Sequence, residues 1–324
     1  MDESVAAKEG VVIELPKTDR ALDITVLMGG PSSERDVSLL SGAAIAEGLA
    51  ARGHQVTRAD ISPQNTAALD RGEIELVFIA LHGDFGESGQ VQALCEARGL
   101  KYTGSNERAS RLGMDKAAAK QIFKRAGLTT PDWMIVEEYH SAKQIACWLE
   151  ELPLPVVLKP VDGGSSVDIK IVADITRRDE ALEYLVDKYG RVMIERYAPG
   201  REFTVGVIGN STLPVMEILP DGDFYDYRAK YDDDADTSYV FSHGLDEKIV
   251  ERMRTDALNA HRVLGCRDVS RVDFILDSDN TPNVLEINTI PGFTSHSLVP
   301  KAAAAAGISF EQLVDGIAAM AVNR

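Results

Sequence analysis

The chain has 324 residues and a formal net charge of −17, with 34 basic against 51 acidic side chains. Such a surface repels phosphate backbones, which argues against nonspecific nucleic-acid binding but permits a local basic cleft. No apolar run approaches the roughly 20 residues of a membrane span. A chain of this length is expected to form two or three globular domains, each with its own core.

The N-terminal third alternates strands and helices. Residues 1–22 are predicted to be an extension, with VVIEL as a candidate extra strand. The segment 23–30 (DITVLMGG) predicts a buried strand that ends in a glycine turn, and helical apolar spacing follows over 34–51. Further predicted elements are strands near 55–61, 75–82 and 100–105 and a helix near 89–98. This alternation predicts a parallel open sheet, in which ligands bind beyond the carboxyl ends of the strands.

Two more regions follow. A helix near 115–126 opens the second, where 155–172 (PVVLKPVDGGSSVDIKIV) predicts two strands joined by a glycine/serine loop. A helix and the strand RVMIERYA complete this second region. The third region contains the segments EFTVGVIG and LPVMEIL, a helix at 246–264, a hairpin of VSRVDFILD and NVLEIN, and two short helices. The loop at 220–243 mixes aromatic and charged residues, and loops of this length are lids, binding loops or disordered segments.

The three cysteines are far apart and show no metal-binding or redox spacing. We therefore expect Cys95, Cys147 and Cys266 to be reduced, mostly buried thiols of a cytoplasmic protein. The pattern argues against a zinc site and against a disulfide framework.

The hairpin separates an apolar face from a polar one, because alternate residues of a strand point to opposite sides. Val272, Phe274 and Leu276 share one face of the first strand. On the second strand, Leu285 and Ile287 are predicted to point toward the core.

The polar face of the hairpin brings together Arg271, Asp273, Glu286 and Asn288. Two carboxylates about 4 Å apart repel by roughly 4 kcal/mol at a surface-like dielectric unless a cation lies between them. Hard oxygen ligands on neighbouring strands suit Mg²⁺. The alternative is a solvated strand face on which Arg271 neutralises an acid, and the hairpin alone leaves both interpretations open.

The glycine/serine loop places Lys159 at the end of an apolar strand, ahead of residues 163–166 (GGSS). Backbone N–H groups of such a loop can bind phosphate, and a nearby lysine supplies positive charge. The order of residues is not that of a Walker A motif. A simple turn between strands is the alternative, just as Lys116 and Lys230 can be ordinary surface lysines.

Two polar residues lie beyond predicted parallel strands, Glu34 in GGPSSERDVSLLSG and His82 in ALHGDFGESG. Glu34 can complement a helix dipole behind a Ser32 or Ser33 cap, or it can receive a substrate ammonium group. His82 can be structural or can face the same ligand. A serine hydrolase is not indicated, because no GxSxG elbow is present.

Together these stretches resemble the D-alanine–D-alanine ligases of the ATP-grasp superfamily. The matching segments occur in family order from about residue 24 to residue 322, namely GGPSSERDVSLLSG, ALHGDFGESGQVQ, YTGS, MDKAAAK, VVLKPVDGGSSV, REFTV, YDYRAKY, SRVDFIL, LEINTIPGFTSHSLVP and AAGISFEQLV. Ten ordered motifs are far more specific than any one of them.

The resemblance implies an α/β fold (α+β overall), a three-domain ATP-grasp fold with an N-terminal parallel-sheet pre-ATP-grasp domain. The extension at 1–22 would precede an N-terminal substrate domain at 23–112. The central ATP-grasp domain, with the phosphate loop, would span 113–195. The C-terminal ATP-grasp domain, with the lid and the magnesium site, would span 196–324.

The resemblance also implies residues that contact ATP at its two ends. The phosphate end would be held by Lys116, Lys159, Ser166 and Lys230, and the adenosine end by Glu195, Glu202 and the backbone of Arg196 and Ala198. The metal ligands would be Asp273, Glu286 and Asn288, which would hold two Mg²⁺ ions, with Mn²⁺ as a possible substitute.

For the amino-acid substrates, the resemblance implies that Glu34 binds the first ammonium group and that His82 lies near its carboxylate. Ser297 and Leu298 would bind the second carboxylate. Arg271 and the backbone N–H of Gly292 would contact the reacting carboxyl group and the transition-state oxygen. A hydrogen-bonded triad would tie the lid to the N-terminal domain, namely Glu34, Ser165 and Tyr231.

The implied reaction joins two D-alanine molecules through an acyl phosphate, with ADP and phosphate as the other products, for peptidoglycan precursor synthesis. Tyr231 favours a dipeptide, because relatives that make a D-lactate ester usually have phenylalanine at that position. Alternatives are another acceptor, D-lactate or D-serine, or a homologue that binds ATP without turnover. The expected partners are ATP and D-alanine in a cytoplasmic homodimer that contacts neither nucleic acid nor membrane.

Three positions depart from the family pattern. Asp168 stands where the family usually has glycine, and its charge would weaken ATP binding if it faced the phosphates. The lid sequence at 240–243 (VFSH) replaces a usual Cys-Pro-Ala pattern, and Phe293 replaces a common methionine. The first two departures bear on nucleotide affinity and lid closure and leave the predicted metal ligands intact.

Overall fold

The computed structural model describes residues 13–138, 140, 144–145, 149–150, 152–164, 167–219, 237–241 and 243–324. The described strands are β1 Asp23–Met28, β2 Gln55–Asp60, β3 Leu76–Ile79, β4 Trp133–Glu137, β5 Val156–Pro160, β6 Lys170–Val172, β7 Arg191–Arg196, β8 Gly200–Ile208, β9 Ser211–Thr212, β10 Met216–Leu219, β11 Ser238–Val240, β12 Val269–Asp277 and β13 Pro282–Asn288. The described helices are α1 Arg35–Ala51, α2 Asp84–Glu87, α3 Gln90–Ala97, α4 Glu107–Met114, α5 Lys116–Arg125, α6 Ile175–Tyr189, α7 Glu247–Leu264, α8 Leu298–Ala305 and α9 Phe310–Val322.

The N-terminal sheet has the order β2-β1-β3, and both pairings are parallel. This confirms the parallel sheet predicted from the alternating pattern. The predicted strand at 100–105 is reduced to one bridge between Val77 and Tyr102, because the chain turns at Gly104, whose N–H donates to Asp268. The predicted extra strand VVIEL was wrong for residues 13–15, which form no strand; Leu15 instead packs against Gly316 of α9.

The central sheet has the order β4-β7-β5-β6, and every pairing is antiparallel. Strands β5 and β6 are the two predicted strands on either side of the glycine/serine loop. Helix α6 begins after Asp174, whose side chain accepts hydrogen bonds from the N–H groups of Thr176 and Arg177. This cap fixes the helix that packs over β5 and β7, so the sheet presents its other face to the cleft.

The C-terminal sheet runs β11-β10-β8-β12-β13, with β9 paired to β8. The predicted hairpin is β12 and β13, and the core-facing Val272, Phe274 and Leu276 are buried as expected. The predicted orientation of Leu285 was wrong. Asp273 pairs with Glu286 but Phe274 pairs with Val284, so Leu285 is the extra residue of a β-bulge and lies with Glu286 on the cavity side.

Four apolar clusters hold the described part of the molecule together. One cluster lies inside the N-terminal region, one inside the central sheet, and one under the C-terminal sheet, where Phe123 of α5 joins β8 and β12. The largest combines Ile24 and Ile45 from the N-terminal region with Leu313 and Ile317 of α9. Both ends of the chain therefore share one core.

Within the described residues, no single helix is long and apolar enough to cross a membrane. Only α8 and α9 taken as a pair pass that test by length and composition, and they bend by 107° at their junction.

Candidate active site

Two adjoining cavities lie where the three sheets meet. The first has a volume of about 550 Å³ and the second about 300 Å³. Every predicted site residue that the structure describes lines one of them. The first holds Glu34, His82, Lys116, Arg271, Glu286, Asn288, Gly292, Ser297 and Leu298. The second holds Lys159, Glu195, Arg196, Ala198, Glu202, Asp273 and Glu286. Glu286 lines both cavities and so marks their junction.

The predicted metal ligands lie at this junction because of the hairpin register. Asp273 and Glu286 are direct cross-strand partners, and Asn288 pairs with Arg271 two positions along. Arg271 approaches Asp273 through two hydrogen bonds of 2.8 and 2.7 Å. Lys116 Nζ lies 3.6 Å from Glu286 Oε2. The negative charge of both carboxylates is thus offset by cations, which reduces the repulsion between the two neighbouring acids.

These residues fit a divalent hard cation. Two carboxylates and one carboxamide supply oxygen ligands of the kind that Mg²⁺ prefers. Thr204 donates a 2.7 Å hydrogen bond to Asp273 Oδ1, and Asn288 Oδ1 accepts the N–H of Ile290 at 2.8 Å. These neighbours fix the orientation of two of the three ligands, which is the usual role of groups behind a metal site.

Two of the lysines predicted to bind phosphate line the cavities. Lys116 begins α5 and donates a hydrogen bond to the carbonyl oxygen of Gly163 in the glycine/serine loop. Lys159 lies near the end of β5 and donates to Glu195 Oε2 at 2.7 Å. Both lysines are buried, and each has a carboxylate neighbour that offsets the cost of burying its ammonium group.

The second cavity is apolar on several sides. Val157, Ile169, Ile171, Ile275 and Leu285 line it, and Glu195, Arg196, Ala198 and Glu202 stand at its polar edge. An apolar cavity with a few polar groups at its edge suits a nucleobase and its sugar. The N–H of Arg196 donates to Asp132 O at 2.8 Å, so it is not available as a donor to a base.

The rim of the first cavity holds a cluster of acids and one histidine. The predicted serine cap of α1 was wrong: Glu34 occupies the N-cap position, and among the described residues no side chain caps the helix. Ser32 Oγ instead accepts the N–H of Glu34 and donates to His82 O, which ties the turn before α1 to the end of the neighbouring strand region. Glu34 and His82 are buried, and His82 Nδ1 lies 3.9 Å from Glu87 Oε1. Burial above all raises the pKa of Glu87; Glu34 acts in the same direction and His82 opposes it. A concave acidic rim of this kind suits an ammonium group.

The turn after β13 forms the opposite wall of the first cavity. Ser297 Oγ accepts the N–H of Thr294 at 2.9 Å, and Leu298 begins α8. A Cβ on Gly292 would lie 2.6 Å from Ser297 Oγ, so any other residue here would displace the Ser297 hydroxyl from its present position. The turn therefore brings two N-terminal backbone groups of α8 and the Gly292 backbone to one wall, an arrangement that suits a carboxylate.

Asp168 does not face the predicted phosphate site. Its backbone has φ of +56°, and Asp168 Oδ2 accepts hydrogen bonds from Lys188 Nζ at 2.8 Å and from the hydroxyl of Tyr189 at 2.5 Å. These hydrogen bonds hold the pKa of Asp168 below its usual value. The negative charge of Asp168, which the usual glycine would lack, is thus paired with side chains of α6. Asp168 lines neither cavity.

Four predicted site residues lie outside the described residues, namely Ser165, Ser166, Lys230 and Tyr231. Of the altered lid sequence at 240–243, all positions except 242 belong to the described residues. The ring of the preceding residue, Tyr239, packs beneath the ammonium group of Lys301. Sequence reasoning missed Glu87 and Lys120, which contact predicted site residues. The only signal for Lys120 was its spacing of four from Lys116, which places both on one face of a helix.

Comparisons with known proteins point to one family. A family model described as D-ala D-ala ligase C-terminus matches residues 122–319, and one described as D-ala D-ala ligase N-terminus matches residues 58–105. A D-alanine--D-alanine ligase of Anaeromyxobacter sp. (strain Fw109-5) is 44% identical over 296 residues, which cover 91% of this chain and 95% of the relative.

Solved structures agree with this result. A D-alanine--D-alanine ligase from Bacillus anthracis is similar with a TM-score of 0.82 and 36% identity, covering 94% of this chain and 98% of that one. A structure of a ligase from the same organism complexed with ATP gives a TM-score of 0.81 at 34% identity, with the same coverage.

Proposed function

Because the chain belongs to the D-alanine–D-alanine ligase family, we propose that it joins two D-alanine molecules at the expense of ATP in the two adjoining cavities. The main structural support for this assignment is the position of Glu286, which lines both cavities. A ligase that transfers a phosphoryl group needs its metal site between the nucleotide and the carboxylate that receives this group. Glu286 lies at the junction of the two cavities.

The nucleotide would occupy the second cavity. Its base would lie among the apolar side chains beside Glu195, and Glu202 would face the sugar. Lys116 and Lys159 would bind phosphate oxygens, with Ser166 and Lys230 as further phosphate contacts. Mg²⁺ held by Asp273, Glu286 and Asn288 would neutralise charge on the transferred phosphoryl group.

The two D-alanine molecules would occupy the first cavity. Glu34 would bind the ammonium group of the first, with His82 near its carboxylate, so that this carboxylate is aimed at the terminal phosphate. Transfer of the phosphoryl group gives an acyl phosphate and ADP. Arg271 and the Gly292 N–H would stabilise the oxygen that gains charge when the second amine attacks.

Ser297 and Leu298 would hold the carboxylate of the second D-alanine, which orients its amine toward the acyl phosphate. Positioning of this kind converts a bimolecular attack into an effectively unimolecular one. The attack forms the peptide bond and releases phosphate. The triad of Glu34, Ser165 and Tyr231 would tie the lid across the site and exclude water from the acyl phosphate.

The test is a phosphate-release assay in which ATP, Mg²⁺ and D-alanine are omitted one at a time, with the products identified by mass spectrometry. We expect release only when all three are present, and D-alanyl-D-alanine as the main product when D-lactate and D-serine compete as acceptors. Phosphate release that is unchanged without D-alanine would overturn the assignment, and a depsipeptide as main product would overturn the choice of acceptor.

We also propose a cytoplasmic homodimer that associates through residues 23–112 and uses Mg²⁺, with Mn²⁺ as a substitute. The support is the family resemblance and the location of ATP and peptidoglycan precursor synthesis in the cytoplasm. Light scattering on the purified protein should give the mass of two chains; the mass of one chain at micromolar concentration would contradict the dimer.

A further inference from the structure

A buried ion cluster behind the nucleotide cavity contains a lysine that has no role in the proposed mechanism. Glu195 is shared by two lysines: Lys159 Nζ lies 2.7 Å from Oε2 and Lys120 Nζ lies 2.6 Å from Oε1. Lys120 is fully buried and lines neither cavity, whereas Lys159 and Glu195 line the nucleotide cavity. Lys120 can therefore affect a bound nucleotide only indirectly, and Glu195 is a charged partner of Lys120 that lines the cavity.

Lys120 is held from several sides and cannot swing toward the cavity. Its ammonium group donates hydrogen bonds to Thr130 Oγ1 and, at 3.3 Å, to Pro131 O. It also lies 5.4 Å from the centre of the Trp133 ring. Thr130 in turn donates a 2.7 Å hydrogen bond to Val284 O, at the start of the β13 bulge. Two partners of this fixed side chain, Pro131 and Glu195, line the second cavity, and Glu195 is the charged one.

The two lysines keep Glu195 ionised. Burial alone would raise the pKa of Glu195, but Lys159 and Lys120 together hold it below its usual value. Burial lowers the pKa of Lys120 to about 8, so the cation is maintained at neutral pH mainly by Glu195. An ionised carboxylate accepts hydrogen bonds and donates none. Oε1 is enclosed and lies 2.6 Å from Lys120 Nζ, whereas Oε2 accepts one hydrogen bond from Lys159 and has a second lone pair, so Oε2 retains acceptor capacity.

We propose that Lys120 is a positioning residue that determines nucleobase specificity, because it holds Glu195 as an ionised acceptor aimed at the nucleotide cavity. The inference rests on the proposed binding of the base beside Glu195. Adenine presents an amino donor at its six position, whereas guanine presents a carbonyl acceptor there. An acceptor-only carboxylate binds the first and rejects the second, since two acceptors would face each other without a proton.

Loss of Lys120 leaves a buried carboxylate with one lysine. The acid is then protonated more readily, and its O–H can donate to the guanine carbonyl. The preference for adenine should fall even though Lys120 touches no part of the nucleotide. A role confined to packing would weaken both nucleotides equally and would leave the preference unchanged.

The experiment measures binding of non-hydrolysable ATP and GTP analogues by calorimetry to the full chain and to Lys120→Met. We expect the ratio of the two dissociation constants to fall by at least about tenfold in Lys120→Met. The matched control is Lys124→Met, one turn further along α5, where the exposed Lys124 pairs with Asp132. That variant should keep the ratio of the unsubstituted protein. An unchanged ratio in folded Lys120→Met overturns the proposal.

A second comparison decides the matter if Lys120→Met does not fold. Glu195→Gln should itself lower the preference for the adenine analogue, because its amide can donate to guanine. Adding Lys120→Met in that background should change the ratio by less than about twofold, and a further tenfold fall overturns the proposal. Calorimetry measures nucleotide binding without turnover. Failure of the D-alanine assay would therefore overturn the proposed reaction, while the binding ratios would still test the role of Lys120.

Discussion

Glu286 is the residue on which the proposed reaction depends most directly. It faces Asp273 across the hairpin, lies 3.6 Å from Lys116 and lines both cavities. Glu286→Gln keeps the size of the side chain but removes the charge that a divalent cation requires. We expect Mg²⁺-dependent turnover to fall by about 100-fold or more, as for loss of one preorganised charge-stabilising group.

The fold should survive this change, since Glu286 is partly exposed and packs at a cavity edge. Circular dichroism should match the unsubstituted protein. Asp279→Asn, on the exposed turn of the same hairpin, is the control and should keep full turnover. Near-normal turnover in Glu286→Gln would show that the hairpin is not the magnesium site.

Asp168 provides a second prediction at the scale of single residues. Its carboxylate is already paired with Lys188 and Tyr189, so its charge adds little field at the phosphates. The side chain of Lys188 is 47% exposed, and such pairs contribute about 1 kcal/mol or less. Asp168→Asn should therefore change the KM for ATP by less than about threefold. A tenfold gain in ATP affinity would show that the carboxylate opposes the nucleotide.

Single residues also show what could be predicted from sequence. Asp273 and Glu286 were predictable, because side-chain alternation is a local property of any strand. Lys120 was not, because burial of a lysine is decided by Glu195, Thr130 and Trp133, which come together only in the folded chain.

The hairpin shows the limit of pattern reasoning at the scale of elements. Strict alternation placed Leu285 in the core, but the bulge moves it to the wall of the second cavity. A bulge adds one residue to one strand without a reliable sequence signal. Its effect is functional in the proposed mechanism, because Leu285 and Glu286 become neighbours on the same side, one against the base and one at the metal.

Helix α7 carries a buried histidine that should make stability depend on pH. His261 Nδ1 lies 2.7 Å from Ser270 Oγ on β12, and burial lowers the pKa of His261 to about 4. The unfolded chain then binds more protons than the folded chain between about pH 4 and 6.5, so stability falls as pH falls through this range. At pH 5 the loss from this one group is about 2 kcal/mol relative to neutral pH.

Urea unfolding at pH 7 and pH 5 measures this effect. His261→Gln can keep a hydrogen bond to Ser270 but cannot bind the proton, so its loss of stability between the two pH values should be smaller by about 2 kcal/mol. Ser270→Ala keeps the buried imidazole and should keep most of the pH effect. An equal pH effect in the His261→Gln variant would contradict the assignment.

At the scale of the whole molecule, the three sheets and the ATP-grasp architecture implied by the family motifs are confirmed. The motifs specify the elements that line the cavities. They do not specify how α9 packs against the N-terminal core. That contact is made by apolar side chains, and many combinations of apolar residues would fill the same space. The domain boundaries predicted at residues 112 and 195 stay predictions, since Phe123 and α9 each pack into a core outside their own segment.

The closure of the N-terminal core by α9 leads to the last prediction. Asp315 of α9 is buried and accepts a 2.7 Å hydrogen bond from Thr18, and it lies 3.2 Å from both His54 and Arg52. Asp315→Ala leaves these partners without their shared acceptor, which costs about 2–4 kcal/mol for a buried, paired charge. Urea unfolding should show this loss, while the KM for ATP stays within about twofold because no cavity residue has changed. Glu311, near the start of the same helix, is partly exposed to solvent and accepts a hydrogen bond from the local Ser309, so Glu311→Gln should cost less than about 1 kcal/mol. If both variants lost the same stability, the network around Asp315 would not be what joins the two ends of the chain.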